Sequence, residues 1–294
     1  MTKHCTVPLF TLVLTLSLGS SCASPQSPDY IIYGVDTLAT YTLILEQYFQ
    51  MQEKSEPAKL FGLSFRDGAT FNCWRGYQAV YKIDSDSLFL VDIIACGERR
   101  TGKIDKAASV RKMKSIFNDK FINGRVYIHW FSGDMKFPLT DKVLRWDGVF
   151  YTIYEKEKVI SISQGSVLAT EDVENYIHDP RRIDRKDKSK ISDILFKKLR
   201  KAHWKSKEGF DCSEKYMVTI DENGNVSKVK MLYSEAEMEK YCEKDEYNFC
   251  INKVYDAIKW LKFDIIKDKG KPIPEDIYLE IWVQDNGKLE NWTK

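Results

Sequence analysis

KYMVTIDENGNVSKVKML (residues 215–232) decides how the C-terminal part of this chain folds. Tyr216-Met-Val-Thr-Ile220 and Val226 to Leu232 are two short runs of strand formers, and Asp221-Glu-Asn-Gly-Asn225 between them carries the Asn-Gly signal of a β-hairpin turn. After a polar insertion, Ser234 to Phe249, the spacing of Ile251, Val254, Ile258 and Leu261 predicts a helix over 251–263 with one apolar face. Lys269-Gly-Lys-Pro-Ile-Pro274 stops that helix. A last strand then alternates Ile277, Leu279, Ile281 and Val283 with Tyr278, Glu280, Trp282 and Gln284, one dry face against one polar face.

Upstream, Ser192 is placed to cap a helix running to about Ala202, with Ile194, Leu195, Leu199 and Ala202 as its apolar stripe. This order of helix, hairpin, helix and strand, with the phrases VTIDENGNVSKVKML, AIKWLKF and GKPIPEDIYLEIWV, resembles the C-terminal domain of the TonB family. The resemblance covers roughly the last hundred residues. It implies a small α+β module that receives an extended peptide alongside an exposed strand, through main-chain hydrogen bonds. Carried onto this chain, the receptive edge is Ile277, Tyr278, Leu279, Glu280, Ile281, Trp282 and Val283, whose outward Tyr278, Glu280 and Trp282 tune partner choice.

The opening residues bear on location. Met1-Thr-Lys-His4 is a short basic start, and Val7 to Leu18 is an apolar run too short to span a bilayer comfortably. Leu18-Gly-Ser-Ser-Cys22 resembles a bacterial lipoprotein signal, which implies lipidation of Cys22 and an anchored protein in the periplasm or at the outer membrane. An ordinary secretion signal cleaved near Ala23 is the alternative reading. The apolar run is short, and eight prolines in the whole chain leave no long spacer, so the expected module binds without energy-transducing machinery. With 45 basic and 43 acidic residues there is no global field to recruit nucleic acid.

The rest reads as a β-rich antiparallel domain, so the whole is α+β. Its expected divisions are a leader over 1–22, a tether over 23–29, the β-rich domain over 30–180, a charged linker over 181–190 and the TonB-like domain over 191–294. A helix is expected near Leu43 to Gln52. A long hairpin follows, Thr70 to Ile83 and Leu88 to Cys96, whose turn sets Cys73 nearly opposite Cys96, within reach of a disulfide suited to an oxidising compartment. Cys212, Cys242 and Cys250 leave their pairing open: a local Cys242–Cys250 bridge, or Cys212 with either. Ser109 to Phe117 reads as a helix, Arg125 to Phe131 and three later runs as strands, and Glu171 to Tyr176 as a short helix ended by Pro180. Trp74, Tyr77, Tyr81 and Phe89 read as sheet core before they read as a ligand platform.

Chemistry is sparse. His129, His178 and His203 are far apart and lack the close spacings of a zinc site; His129 reads as a core or rim residue and His178 as a helix-end cap. Asp221 to Asn225 lacks the ligand pattern of a calcium loop, and neither a nucleophile elbow nor a phosphate loop is present. No catalytic residue, metal site or cofactor is therefore expected. The expected activity is binding of a protein or peptide partner in the cell envelope, with an immunity or inhibitor protein and an enzyme acting on envelope polymers as the other classes.

Overall fold

The computed structural model describes residues 25–52, 69–205, 209–239 and 242–293. The chain divides between Glu174 and Asn175 into two compact units, both mixtures of helices and mainly antiparallel sheet. The leader and Cys22 lie outside the described residues. Among those described, no helix is long and apolar enough to cross a membrane.

The N-terminal unit runs β1 (Asp29–Tyr33), β2 (Asp36–Thr40), α1 (Ile44–Gln52), β3 (Gln78–Asp84), β4 (Ser87–Ile94), α2 (Glu98–Thr101), α3 (Lys106–Phe117), β5 (Val126–Tyr127), β6 (Gly133–Pro138), β7 (Val143–Trp146), β8 (Thr152–Tyr154), β9 (Lys156–Ser163) and β10 (Ser166–Glu174). Its main sheet has the order β2-β1-β3-β4-β10-β9-β6, with β5 beside β4, and β7 and β8 form a separate hairpin. One pairing departs from the antiparallel expectation: β1 lies parallel to β3. A parallel pair needs a long crossover, and α1 lies within it. The β3–β4 turn is two residues, Ser85 and Asp86, both at positive φ (49° and 58°), as a tight hairpin with right-handed twist requires. Ile31, Tyr81, Leu88, Leu90, Met135 and Ile160 fill the core, closed over by Ile44, Leu45 and Tyr48 of α1 and by Met113 and Phe117 of α3. Tyr77 and Tyr81 are core residues, as the alternation suggests.

Two local expectations fail here. Gln26 and Asp29 are buried, so the Ser/Pro stretch is no free tether. Ser27 N–H donates to Asn72 O (2.6 Å), and Arg75 donates to Asp29 at 2.7 Å and to Ser27 O at 2.8 Å. Glu171 to Glu174 continues strand β10 instead of starting a helix. Cross-strand ion pairs from Lys158 to Asp172 (2.5 Å) and Lys156 to Glu174 (3.8 Å) favour the ladder, and neither is visible in the local sequence.

The C-terminal unit comprises β11 (Tyr176–Ile177), α4 (Ile191–Leu199), β12 (Glu214–Ile220), β13 (Val226–Met231), α5 (Glu235–Met238), α6 (Lys244–Ile258), β14 (Ile265–Asp268), β15 (Lys271–Pro272), β16 (Glu275–Val283) and β17 (Leu289–Asn291). Four strands make an antiparallel sheet of order β13-β12-β16-β17, and β11-β14-β15 make a small second one. Tyr216, Val218, Ile220, Ile277, Leu279 and Ile281 point to one face of the larger sheet and share a core with Leu195 and Leu199 of α4 and Val254 and Ile258 of α6. At ~1.5–3 kcal/mol for each large apolar side chain removed from water, this layer is the main source of the unit's stability. Gly224 holds the hairpin turn at φ 78°, and a Cβ there would lie 2.1 Å from Phe263 O, so both its conformation and its neighbour require glycine.

The polar insertion is mostly helical: α6 begins at Lys244, well before Ile251, because Tyr247 and Cys250 extend its buried face, and Ser234 with Glu237 forms a capping box on α5. Helix α4 starts one residue before Ser192, which does not cap it; Asp187 accepts from Ser189 N in the turn before it. The run 181–190 is no linker. Ile183 N–H donates to Lys262 O and Asp264 N–H to Ile183 O, both 2.9 Å, and Arg185 is fully buried.

Candidate functional site

The larger C-terminal sheet carries the residues singled out for partner binding, and their faces fall as the alternation predicts. Ile277, Leu279 and Ile281 are buried, Val283 packs against the same core, and Tyr278, Glu280 and Trp282 turn to the opposite face, away from α4 and α6. The strand itself, however, is not an edge. β16 pairs with β12 along its length and with β17 through Ile281↔Asn291, Trp282↔Glu290 and Val283↔Leu289. Trp292 N–H continues the ladder to Glu280 O at 2.9 Å. The rim assigned to Ile277 through Val283 is thus taken by the chain's own tail from Glu280 onward. A turn over Asp285-Asn286-Gly287 returns the tail, with Gln284 N–H to Lys288 O at 2.8 Å and Gly287 at φ 77°.

The open edge of six residues is β13, on the far side of the sheet. Leu232 N–H donates to Lys215 O (2.7 Å), which sets the phase of the β12–β13 ladder. By alternation Val229 and Met231 then direct their main-chain N–H and C=O to the outer rim. Lys228 and Lys230 are exposed there, and the register shift opposite Thr219 and Ile220 puts a bulge at Ser227. The other edge, β17, offers three residues.

On the face turned away from the helices, Trp282 and Trp292 stack with ring centroids 5.1 Å apart and planes 16° from parallel. They remain 44% and 49% exposed. Trp292 Nε1 donates to Glu290 Oε2 at 3.1 Å, Gln284 Nε2 donates to Glu290 Oε1, and Tyr278 Oη donates to Glu280 Oε2 at 2.5 Å. Burial, then Glu280, pushes the Tyr278 phenol well above its usual range, so it stays a donor.

A second cluster surrounds Asp264, which is fully buried. Its Oδ2 lies 2.6 Å from Tyr176 Oη and 2.8 Å from His178 Nδ1, and its Oδ1 accepts Asp179 N–H at 3.0 Å. Tyr176 Oη is also 2.5 Å from Asp184 Oδ1. His178 follows a strand, not a helix, and is held by a carboxylate. His129 is exposed, edge-on to Trp130 at 5.4 Å, which fits the rim and not the core reading. Among the described residues no three His, Cys, Asp or Glu side chains gather closely enough to hold a metal ion. Cys73 is bonded to Cys96 (Cα–Cα 6.1 Å), tying the loop before β3 to the residues after β4, and Cys212 to Cys250 (5.3 Å). That leaves Cys242 as a buried thiol and rules out the local Cys242–Cys250 bridge.

The Asp264 neighbourhood gives the C-terminal unit an acid limit. Hydrogen bonds from Arg181 hold the Asp179 carboxyl down at about 2, and the Tyr176 hydroxyl lowers that of Asp184. A carboxylate depressed in the folded state adds stability above its ordinary value, and that stability is lost as protons are taken up on acidification. The midpoint of thermal unfolding is therefore expected to fall as pH drops from 3.8 to about 2. Asp179→Asn with Asp184→Asn should flatten that slope in circular dichroism melts; an unchanged slope would place the acid sensitivity elsewhere.

No protein-family model, curated protein or solved structure matches the chain.

Proposed function

We propose that this chain is an exported, lipid-anchored bacterial envelope protein that binds a protein or peptide partner through its C-terminal unit, without energy-transducing machinery. The leader ending at Cys22 and the TonB-like phrases within 215–284 support this reading. The observation that carries it is the edge of β13, six residues of a strand with one neighbour in its sheet, where the opposite edge strand β17 offers three. An incoming extended segment adds to Val226–Met231, not to Ile277–Val283, and meets the main-chain groups of Val229 and Met231. Lys228 and Lys230 guard that edge against indiscriminate pairing and favour a segment with acidic side chains.

A photo-reactive residue at Lys230 in the membrane-fractionated protein is expected to capture one defined partner. Val229→Pro, which removes an outward N–H without breaking the bond pattern to β12, should abolish that capture. Capture from Tyr151 of the N-terminal unit with none from Lys230 would move the working surface and end the proposal. Cys22→Ala tests the anchor separately, since the variant should leave the membrane fraction.

A further inference from the structure

The exposed indole pair on the outer sheet face has a chemistry of its own, distinct from the β13 rim. In the ladder between β16 and β17, Trp282 lies opposite Glu290 and Glu280 opposite Trp292, so indoles and carboxylates alternate diagonally over two adjacent strands. We propose that this face binds an arginine side chain of a protein partner, a proposal that rests on reading the C-terminal unit as a binding module.

Two features fit a guanidinium. The indoles are stacked on each other and half exposed, and Trp292 already donates its N–H to Glu290, so what that indole offers outward is ring face and not hydrogen-bonding capacity. An arginine plane stacks on such a face and is drawn to it electrostatically. Both carboxylates are fixed before any ligand arrives, Glu290 by Gln284 and Trp292, Glu280 by Tyr278, and each oxygen keeps lone pairs for a further donor. A fixed acceptor beside a flat ring matches the rigid fork of a guanidinium and loses little entropy on binding it. Charge on the face is mixed. Lys215 of β12 lies opposite Glu280, and Lys228 and Lys230 lie on β13, with Lys230 drawn to Asp276 at 3.6 Å, whereas Glu290 lies opposite Trp282. A sugar would use the rings and donate hydroxyls to the carboxylates but would leave their charge uncompensated, and a lysine would not use the planar fork.

The test is calorimetric titration of the full chain with the blocked pentapeptide Gly-Arg-Ala-Arg-Gly and with its citrulline counterpart, which keeps the shape and loses the charge. The arginine peptide is expected to bind saturably and at least about tenfold more tightly than the citrulline peptide, with affinity falling as salt rises. Trp282→Ala and Glu290→Gln should each weaken it about tenfold. Glu290→Gln changes no volume and serves where the tryptophan variant does not fold. Equal binding of the two peptides, no binding of either, or an effect of Glu290→Gln only on chitooligosaccharide binding or on self-association overturns the proposal. Val229→Pro should leave arginine binding intact, so failure of capture at Lys230 with retained peptide affinity would sink the strand-addition reading alone.

Discussion

Arg75→Met is expected to destabilise the N-terminal unit by about 3–5 kcal/mol, the effect of stranding one charge of a buried pair. The side chains of Arg75 and Asp29 are 4% and 0% exposed and meet at 2.7 Å. Asp29 Oδ1 also accepts Ala79 N–H at 2.8 Å. Burial raises the Asp29 carboxyl and Arg75 opposes that rise, so without the arginine the carboxyl moves further up. An acid whose folded pKa is raised contributes most below its unfolded pKa and loses that contribution as pH rises through the folded one. The variant should therefore recover more stability on mild acidification than the wild type does. Asp29→Asn added to Arg75→Met should restore much of the loss, because a neutral amide replaces the stranded charge. Urea unfolding measures all three proteins; a loss below about 1 kcal/mol in the single variant would mean that water reaches the pair.

Removing the Cys212–Cys250 bridge as the double alanine variant is expected to cost about 2–4 kcal/mol, with a matching fall in the urea midpoint of the C-terminal unit. The bridge joins the loop before β12 to the middle of α6, 38 positions on, and both cysteines are buried. Cys73–Cys96 closes 23 positions, and chain entropy alone separates the two bridges by only about 0.4 kcal/mol, so packing decides which matters more. Because the sulfurs are buried, reductant should act on native protein far more slowly than on protein in urea. Cys242 should be protected in the same way. Equal rates of reduction with and without urea would show the bridge to be open to solvent.

Local sequence carried the hairpin at 216–232 and the two faces of β16, because strict alternation and an Asn-Gly turn are short-range signals. It did not carry β17. Asn286-Gly287 has the same turn signal as Asn223-Gly224, but Leu289 is the one apolar residue of the strand that follows, so periodicity had nothing to register. Burial of Arg185 and the Ile183 bridge to Phe263 join positions some eighty residues apart, and a run of charges gives no hint of either. For the same reason Trp282 was legible as an outward side chain, while Trp292 and Glu290, its neighbours across the ladder, were not.

The returning tail has one further effect on how the molecule behaves in solution. By lying along Ile281 to Val283 it shields the most apolar strand of the unit from like strands on other molecules. A chain cut after Gln284 would lose Leu289 from its core and bare an adhesive seam, and intermolecular stacking of that seam would show as turbidity. The residues after Gln284 are in this sense a solubility device as well as part of the fold.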